Sequence, residues 1–431
     1  MTDIVTKIRG DKGIWAIVFL LALISFLPVY SASTNLVYVI GKGSTMGHLI
    51  KHLGHIFLGF VIIYFVHKVP YHYFRALSIF GIPVVIVLLM YTLYQGTTID
   101  GANASRWIQI PLVGIGFQTS TFAFIVLMVY VARYLAKSSD KEVTFKDSFL
   151  ELWLPVFAVL ILILPANFST TALIFSMVCM LVYVGHYPLK YLAGIITMGI
   201  VALAFFILIA KAFPGTMPNR VKTWEKRIER FTSNTADEDV YQIEKAKIAI
   251  ASGGIKGLGP GKSVQKNFLP QSSSDFIFAI IVEEYGMIGG VGIMFLYLLL
   301  FVRFVINAHK ATTLFGKLLI VGLGFPIVFQ AFVNMAVAVE LLPVTGQTLP
   351  LISAGGTSIW MTCASIGIIL SVTKKEEEIA LDLEEKQKRD EALQRIIDKE
   401  VESELGDFCI DGDSDSVSND DKNPLEPILK Q

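Results

Sequence analysis

Asp275 has the clearest potential for chemistry in this chain, because it opens a long apolar segment directly after a stretch rich in Gly, Pro and Ser. Desolvating a carboxylate at the mouth of a membrane helix is costly, so an acid in that position is by default a candidate for function. A carboxylate within reach of a hydroxyl group can act as its general base. The alternative interpretation is that Asp275 only caps the helix that follows.

Cationic side chains precede this acid along the chain. A basic amphipathic segment over 218–231 and a second over 241–251 are typical of helices that lie at a membrane surface. The glycine-rich approach to Asp275 then adds Lys262 and Lys266. Because Lys and Arg are natural partners of phosphate oxygens, this pattern predicts an anionic, lipid-linked substrate such as a polyprenyl diphosphate. Anchoring to lipid headgroups would explain the first segment but not the glycine-rich approach.

Two further segments between apolar stretches are distinctive, one over 101–108 and the other over 334–358. The second is rich in Gly, Pro, Ser and Thr, which predicts interrupted backbone rather than a helix. Non-helical backbone at membrane depth has to line a cavity or lie buried in protein. We therefore expect both segments to converge with Asp275 on one cavity.

The elements that must position these residues are membrane helices, because 54% of the side chains are hydrophobic and 17% charged, with a mean hydropathy of +0.61. A helix needs roughly 20 apolar residues to cross a bilayer. The sequence therefore predicts an all-α integral membrane protein of ten transmembrane helices. These cover about 14–33, 47–66, 74–95, 112–134, 149–166, 169–186, 189–213, 275–303, 317–340 and 356–373.

The distribution of Lys and Arg predicts the orientation of these helices. If the N-terminus is cytoplasmic, the short inner segments carry fifteen Lys and Arg, against three in the short outer segments, namely Lys42, Lys51 and Arg106. This asymmetry favours two cytoplasmic termini. The one large loop, over 214–274 between the seventh and eighth helices, is then extracytoplasmic, and Asp275 lies at the outer mouth of the eighth helix.

Composition divides the chain into a membrane part, residues 1–373, and an acidic cytoplasmic tail, residues 374–431. The tail carries nine Lys and Arg against nineteen Asp and Glu, although the whole chain is neutral. It begins with a charged helical pattern and ends in Asp- and Ser-rich sequence that is too polar to fold alone. A solvated tail is the simpler expectation, and docking of a cytosolic partner is the alternative.

Three stretches resemble, in order and spacing, the signature segments of the SEDS family (shape, elongation, division and sporulation). They are GANASRWI over 101–108, the stretch from the glycine-rich approach to EEYG over 257–286, and LPVTGQTLPLISAGGTS over 342–358. The likeness extends over 14–373. Within it, SVQK over 263–266 is more similar to the division branch of the family than to the elongation branch.

The resemblance implies a peptidoglycan glycosyltransferase that acts on lipid II in the bacterial inner membrane, at the division septum. The growing glycan on its polyprenyl diphosphate is then the donor, the 4-hydroxyl of the lipid II GlcNAc is the acceptor, and Asp275 matches the family's catalytic acid residue. Implied partners are a class B penicillin-binding protein that supplies the transpeptidase, other division proteins and membrane lipid, with no nucleic acid. No cofactor is certain, and a divalent cation stays open. The expected substrate contacts are Lys51, Arg106, Trp107, Gln265, Lys266, Glu283, Gln347 and Ser353.

Four positions depart from the family pattern. The chain has Thr121, Asn167 and Gln271 where the family carries an acid, and Thr345 where relatives often carry Lys. The roles of those family positions cannot be carried over to this chain. Asp275 consequently stands more alone here than the acid it matches.

Other interpretations stay open on the sequence. A lipid-substrate flippase would suit ten helices with buried acids, although we detect no inverted repeat; a non-catalytic division scaffold and a related O-antigen polymerase or ligase are further alternatives. His48, His52 and His55 share one helix face, which allows metal ligation but favours helix packing, because no carboxylate accompanies them. Glu283 and Glu284 match the family pattern and could pair with a buried cation, with a proton relay as the rival role.

Overall fold

The computed structural model describes residues 9–38, 44–95, 98–99, 102–103, 107–109, 116–139, 141–212, 238–269 and 272–410. The chain divides into two units, Met1–Glu377 and Glu378–Gln431. Arg106, Gln271 and the predicted basic segment over 218–231 lie outside the described residues.

The described chain is built almost entirely of helices. They are α1 (Lys12–Tyr38), α2 (Thr45–Val66), α3 (His72–Gln95), α4 (Thr119–Ser138), α5 (Phe145–Ser148), α6 (Leu154–Ile163), α7 (Phe168–Val184), α8 (Leu189–Ala212), α9 (Glu238–Gly253), α10 (Ile277–Lys310), α11 (Leu314–Ala338) and α12 (Gly356–Ile410). A π-helical turn, Phe149–Trp153, joins α5 to α6, and a 3₁₀ turn covers Gln265–Asn267.

Among the described residues, seven helices are long and apolar enough to cross a membrane: α1, α2, α3, α4, α10, α11 and the first part of α12. The other three predicted spans correspond to the π-helical turn with α6, to α7 and to α8. One predicted boundary is wrong, because the span expected over 112–134 has strand at 116–118 and becomes helical only at Thr119. The helix that contains the last predicted span, 356–373, continues to Ile410, as the charged helical pattern at the start of the tail indicates.

Two short antiparallel hairpins precede α4, and the all-α prediction missed them. Strands β1 (Thr98–Ile99) and β2 (Ala102–Asn103) form the first. Strands β3 (Trp107–Gln109) and β4 (Gly116–Gln118) form the second, in which Trp107 pairs with Gln118. The hairpin places the 107–109 stretch directly beside the start of α4.

Helices α4 and α11 lie largely inside the bundle, whereas α2, α3 and α10 expose much of their apolar surface. Small residues allow the inner helices to pack closely, as in other membrane bundles. A Cβ added to Gly322 of α11 would lie 2.8 Å from Leu181 of α7, and one added to Gly324 would lie 2.7 Å from Phe304 of α10. The outward apolar faces are the expected surface for helices surrounded by lipid.

The two residues before α1 are tied to the last turns of α10 and to the middle of α12. The backbone N–H of Gly10 donates to Glu377 (2.8 Å), and that of Asp11 donates to the Thr373 hydroxyl (3.2 Å). The Asn307 amide of α10 donates to the Asp11 carboxylate (2.9 Å). Residues 373–377 therefore belong to the packed bundle, which includes the first four residues of the predicted tail, 374–377.

Candidate functional site

Asp275 is half-buried and lies two residues before the first residue of α10. Phe276 occupies the cap position of that helix, so the simple interpretation of Asp275 as its N-cap residue is wrong by one position. Phe276 is fully buried in a small apolar cluster with Leu269, Val333 and Val337. The chain is thus anchored immediately after Asp275 while the carboxylate side chain keeps partial access.

Three successive backbone carbonyls hold Asp275 in place. The carbonyl of Ser273 accepts from the Ala354 N–H (2.8 Å), and that of Ser274 accepts from the Ser353 hydroxyl (2.6 Å). The carbonyl of Asp275 accepts from the Asn334 amide (2.7 Å). Residues 343–355, here called the proline loop, therefore fix the approach to α10 together with α11.

The proline loop also passes next to the carboxylate itself. Gly346 has φ +64°, and a Cβ built on it would lie 3.7 Å from Asp275 Oδ2. Further along, Leu351 holds a left-handed conformation at φ +66°, which costs a non-glycine residue about 1–3 kcal/mol. The buried hydroxyl of Tyr297 donates to the neighbouring Pro350 carbonyl and helps to hold this shape. The expected convergence of this segment with Asp275 is present in the structure.

Ser353 and Gln347 have different surroundings within the proline loop. Ser353 is buried, and its hydroxyl donates to Ser274 and accepts from the Leu349 N–H (2.7 Å). These contacts give Ser353 a structural role, and its expected contact with substrate stays a prediction. Gln347 is half-buried, and its amide donates to the Thr170 hydroxyl on α7 (3.1 Å). Gln347 thus links the loop above Asp275 to the start of another helix.

Residues 254–269, here called the glycine loop, complete a break in α10. Gly286 is non-helical, with φ +69° and ψ −170°. The Leu258 and Gly259 N–H groups donate to the carbonyls of Glu283 and Glu284, each at 2.9 Å. In return, the Met287 N–H donates to the Gly254 carbonyl (2.9 Å). The loop therefore supplies hydrogen-bond partners that the interrupted helix lacks.

The carboxylates of Glu283 and Glu284 are buried and hold the same loop. Glu283 accepts from the backbone N–H of Val264 (2.9 Å) and Gln265 (3.2 Å), and from the Ser263 hydroxyl. Glu284 accepts from the Ser31 hydroxyl of α1 and from the Ser263 N–H (3.3 Å). Glu283 is completely buried, and its carboxylate anchors the glycine loop; its expected contact with substrate stays a prediction.

Lys266 is half-buried near this anchor. Its ammonium donates to the Gly261 carbonyl (2.7 Å) and to the Ser31 hydroxyl (3.1 Å). One of its three donors is left for another partner in this arrangement. The neighbouring Gln265 has a buried side-chain oxygen without a hydrogen-bond partner in the described part of the chain. Lys51 is exposed on α2.

Helix α9 contains the second predicted basic segment, 241–251, and its apolar face packs on the start of α10. Ala246 and Ala249 are fully buried in the cluster that contains Phe276, so this face packs on protein. Lys247 forms an ion pair with Glu340, at 2.6 Å, in the turn that follows α11. Both side chains are more than half exposed, so this pair contributes little to stability. It nevertheless connects α9 to the segment that leads into the proline loop.

Asn167, a position where the family carries an acid, lies in the wall of a small cavity. Asn167 caps α7 by accepting from the Thr170 N–H (3.2 Å). With Ser120, the residue before Thr121, it lines a cavity of about 10 Å³ between α3, α4 and α6. That is about the space of one water molecule. The cavity wall adds the hydroxyls of Thr92 and Thr119 to a mostly apolar lining that carries no charged residue.

Two of the three histidines of α2, His52 and His55, pack against neighbouring helices, as the preferred interpretation expected. His52 is buried, with Nε2 2.9 Å from the Ser25 hydroxyl of α1. The ring of His55 lies 5.2 Å from the ring of Trp360 on α12. Across the residues that the structure describes, no group of three or more His, Cys, Asp or Glu could hold a metal ion.

Asn334 is the residue at this site that the sequence analysis missed. Its amide donates to the carbonyl of Asp275 and to that of Gln347 (2.8 Å). An available signal was its place near the end of an apolar stretch, where a polar side chain at membrane depth is a candidate for function.

Comparisons with known proteins agree on one family. The FtsW/RodA/SpoVE model, described as a cell cycle protein, matches residues 11–378. A probable peptidoglycan glycosyltransferase FtsW from Nitrosomonas europaea is 31% identical, covering 82% of this chain and 90% of that protein. A protein with the same description from Geobacter sulfurreducens is 32% identical, covering 85% of this chain and 96% of its own length.

Solved structures show the same fold. A chain in a structure described as "Structural coordination of polymerization and crosslinking by a peptidoglycan synthase complex" has a TM-score of 0.65 at 24% identity, covering 85% of this chain and 98% of that one. The rod shape determining protein RodA of Thermus thermophilus has a TM-score of 0.61 at 23% identity, covering 85% and 97%. The helices described above therefore form a RodA-like membrane fold.

Proposed function

This chain belongs to the FtsW/RodA/SpoVE family of cell cycle proteins, and from that premise we propose that it polymerises glycan strands from lipid II, with Asp275 as its general base. The chain is a peptidoglycan glycosyltransferase of cell division and a multi-pass membrane protein. The observation that supports the finer proposal best is the position of Asp275, a partly accessible carboxylate held by the backbone beneath a strained loop.

The proposed reaction is a single displacement. The 4-hydroxyl of the lipid II GlcNAc gives its proton to Asp275, and the hydroxyl oxygen forms a bond to the anomeric carbon of the growing glycan. The bond from that carbon to the diphosphate breaks, and polyprenyl diphosphate leaves with the electron pair. A general base typically contributes about 10²–10⁴-fold to such a step. Diphosphate is already a good leaving group if cations meet its charge, so one carboxylate suffices. Because the reaction is a single displacement, the anomeric configuration inverts.

Polymerisation of purified lipid II by the purified chain tests this proposal. We expect glycan strands in detergent or vesicles, and a higher rate when a class B penicillin-binding protein is added as the transpeptidase partner. The relative found in a peptidoglycan synthase complex supports such a pairing. We further propose that the pair works at the septum with other division proteins, with both termini of this chain cytoplasmic and its 214–274 loop outside. No polymerisation under either condition would favour a non-catalytic scaffold.

Lys266→Ala and Arg106→Ala should each raise the lipid II concentration needed for half-maximal rate by about tenfold, because a charge-assisted hydrogen bond to phosphate contributes about 1.5–3 kcal/mol. Lys266 keeps a donor for such a bond, and Arg offers a planar fork to phosphate. Initial rates of polymerisation over a range of lipid II concentrations measure the effect. Lys141→Ala, an exposed lysine on the predicted inner side, serves as the control. An unchanged half-saturation point in both variants would remove the contacts of Lys266 and Arg106 with phosphate from the mechanism.

Truncation after Glu377 should leave the polymerisation rate within about twofold of the full-length value, because it removes only polar sequence outside the packed bundle. Truncation after Lys375 makes a stricter comparison, since it also removes Glu376 and Glu377, which accept hydrogen bonds from Thr312 (3.1 Å) and Gly10 (2.8 Å). The second variant should lower the melting temperature more than the first. A loss of more than about tenfold in the first, while it stays monodisperse, would show that the tail acts on the chemistry.

A further inference from the structure

One side chain of α11 connects the proposed base to the loop that covers it. Asn334 is 1% exposed, and its amide nitrogen donates to the carbonyls of Asp275 (2.7 Å) and Gln347 (2.8 Å). An Asn amide carries two N–H donors, and each has one carbonyl here. Its own oxygen has no partner in the described part of the chain, so the two donated bonds are what hold this group.

We propose that Asn334 is a positioning residue for Asp275, an inference that rests on the proposed function. The bonds to Ser273 and Ser274 come from the proline loop itself. The bond to Asp275 comes instead from α11, a helix that lies mostly inside the bundle. Asn334 thereby ties the backbone of Asp275 and that of Gln347, the residue after Gly346, to the same rigid helix, α11. A displacement of about 1 Å at a reacting group can cost 10²-fold in rate.

Asn334→Asp is the most direct test, because it keeps the shape of the side chain and removes both donors. The new carboxylate faces two carbonyl oxygens and has no proton to donate to either of them unless it is protonated. We expect the saturating rate of lipid II polymerisation to fall about 10²-fold. The lipid II concentration for half-maximal rate should stay within about twofold of wild type, since Asn334 is itself buried and its bond to Gln347 reaches only the backbone of that residue.

Gln330 provides a matched control on the same helix, one turn earlier. Its amide donates to the Thr348 carbonyl of the proline loop (2.9 Å). Gln330→Glu therefore makes the same amide-to-acid change and disturbs the same loop one residue from Gln347, but removes no bond to Asp275. We expect it to keep the saturating rate within about threefold of wild type. Asn334→Gln keeps the amide donors on a longer side chain and should recover part of the rate lost in Asn334→Asp.

The measurement uses the full-length purified chain, lipid II as substrate, and thermal unfolding of each variant. A loss of saturating rate confined to Asn334→Asp, with partial recovery in Asn334→Gln, supports the proposal. Equal rates in Asn334→Asp and Gln330→Glu would overturn it. Failure of both Asn334 variants to fold, while Gln330→Glu folds, would also overturn it, because Asn334 would then have a purely structural role. An inactive wild-type chain would instead contradict the proposed polymerisation, a result distinct from these.

Discussion

Asp275→Asn should abolish glycan polymerisation by the purified chain, lowering the saturating rate by about 10²–10⁴-fold. The substitution keeps the size of the side chain and removes its ability to accept a proton from the sugar hydroxyl. The backbone bonds to residues 273–275 do not involve the carboxylate, so expression, fold and lipid II binding should stay near wild type. Initial polymerisation rates and lipid II binding, measured on the same preparation, give the two quantities separately.

Glu340→Gln is a matched control for that experiment. It makes the same acid-to-amide change on an exposed side chain in the segment leading to the proline loop, where the pair with Lys247 is lost. Exposed ion pairs contribute about 0–1 kcal/mol, so this variant should polymerise nearly as fast as wild type. Retained polymerisation in Asp275→Asn would end the assignment of Asp275 as the base.

Gly257→Ala should destabilise the protein by roughly 2–5 kcal/mol and remove most of its activity, because it combines a left-handed backbone with overpacking. Gly257 has φ +79°, and a Cβ there would lie 2.2 Å from the Glu284 carbonyl oxygen and 2.6 Å from the Gly286 nitrogen. These are backbone atoms, which cannot rotate away. The glycine loop would have to separate from the break in α10, and the amides that Glu283 binds would move with it.

Gly254→Ala separates the two causes. Gly254 also has a positive φ, +51°, but a Cβ there would meet no atom within 4 Å. This variant therefore carries the conformational cost, about 1–2 kcal/mol, without the contact with backbone. Thermal unfolding in detergent, followed with the polymerisation rate, compares the two. Equal melting temperatures for Gly257→Ala and Gly254→Ala would contradict the close packing of the glycine loop on α10.

The sequence predicted the parts of this site that depend on local composition. Apolar length predicted most of the helices, and Gly and Pro content predicted interrupted backbone over 334–358, of which the structure leaves 339–355 non-helical near Asp275. The structural contacts of Glu283 and Ser353 could not be predicted, for a common reason. Their partners, Val264 and Ser274, lie 19 and 79 residues away, so the pairing depends on how the loops fold and not on any local pattern. Asn334 was missed because a single amide does not alter the periodicity of an apolar helix.

The strand at 116–118, and the continuity of the last membrane span with the helix predicted in the tail, do not follow from apolar length. An apolar segment marks where lipid can surround a helix, but the helix itself can extend beyond that limit into water. Charged residues after 373 continue α12 because many of them, such as Lys386 and Glu391, are good helix formers. Before Thr119, apolar content alone cannot distinguish a short strand from a helix.

The break at Gly286 has a consequence for how the chain is assembled in the bilayer. An uninterrupted transmembrane helix satisfies its own backbone and can enter lipid as an independent unit. Here the N–H groups of Met287 and Ile288 find their acceptors at Gly254 and Ile255, which are synthesised before α10. Isolated from that earlier segment, α10 would expose unpaired peptide groups or straighten into a different helix. Insertion of this span and folding of the loop before it are therefore one event, and the fold around Asp275 is completed only when both have occurred.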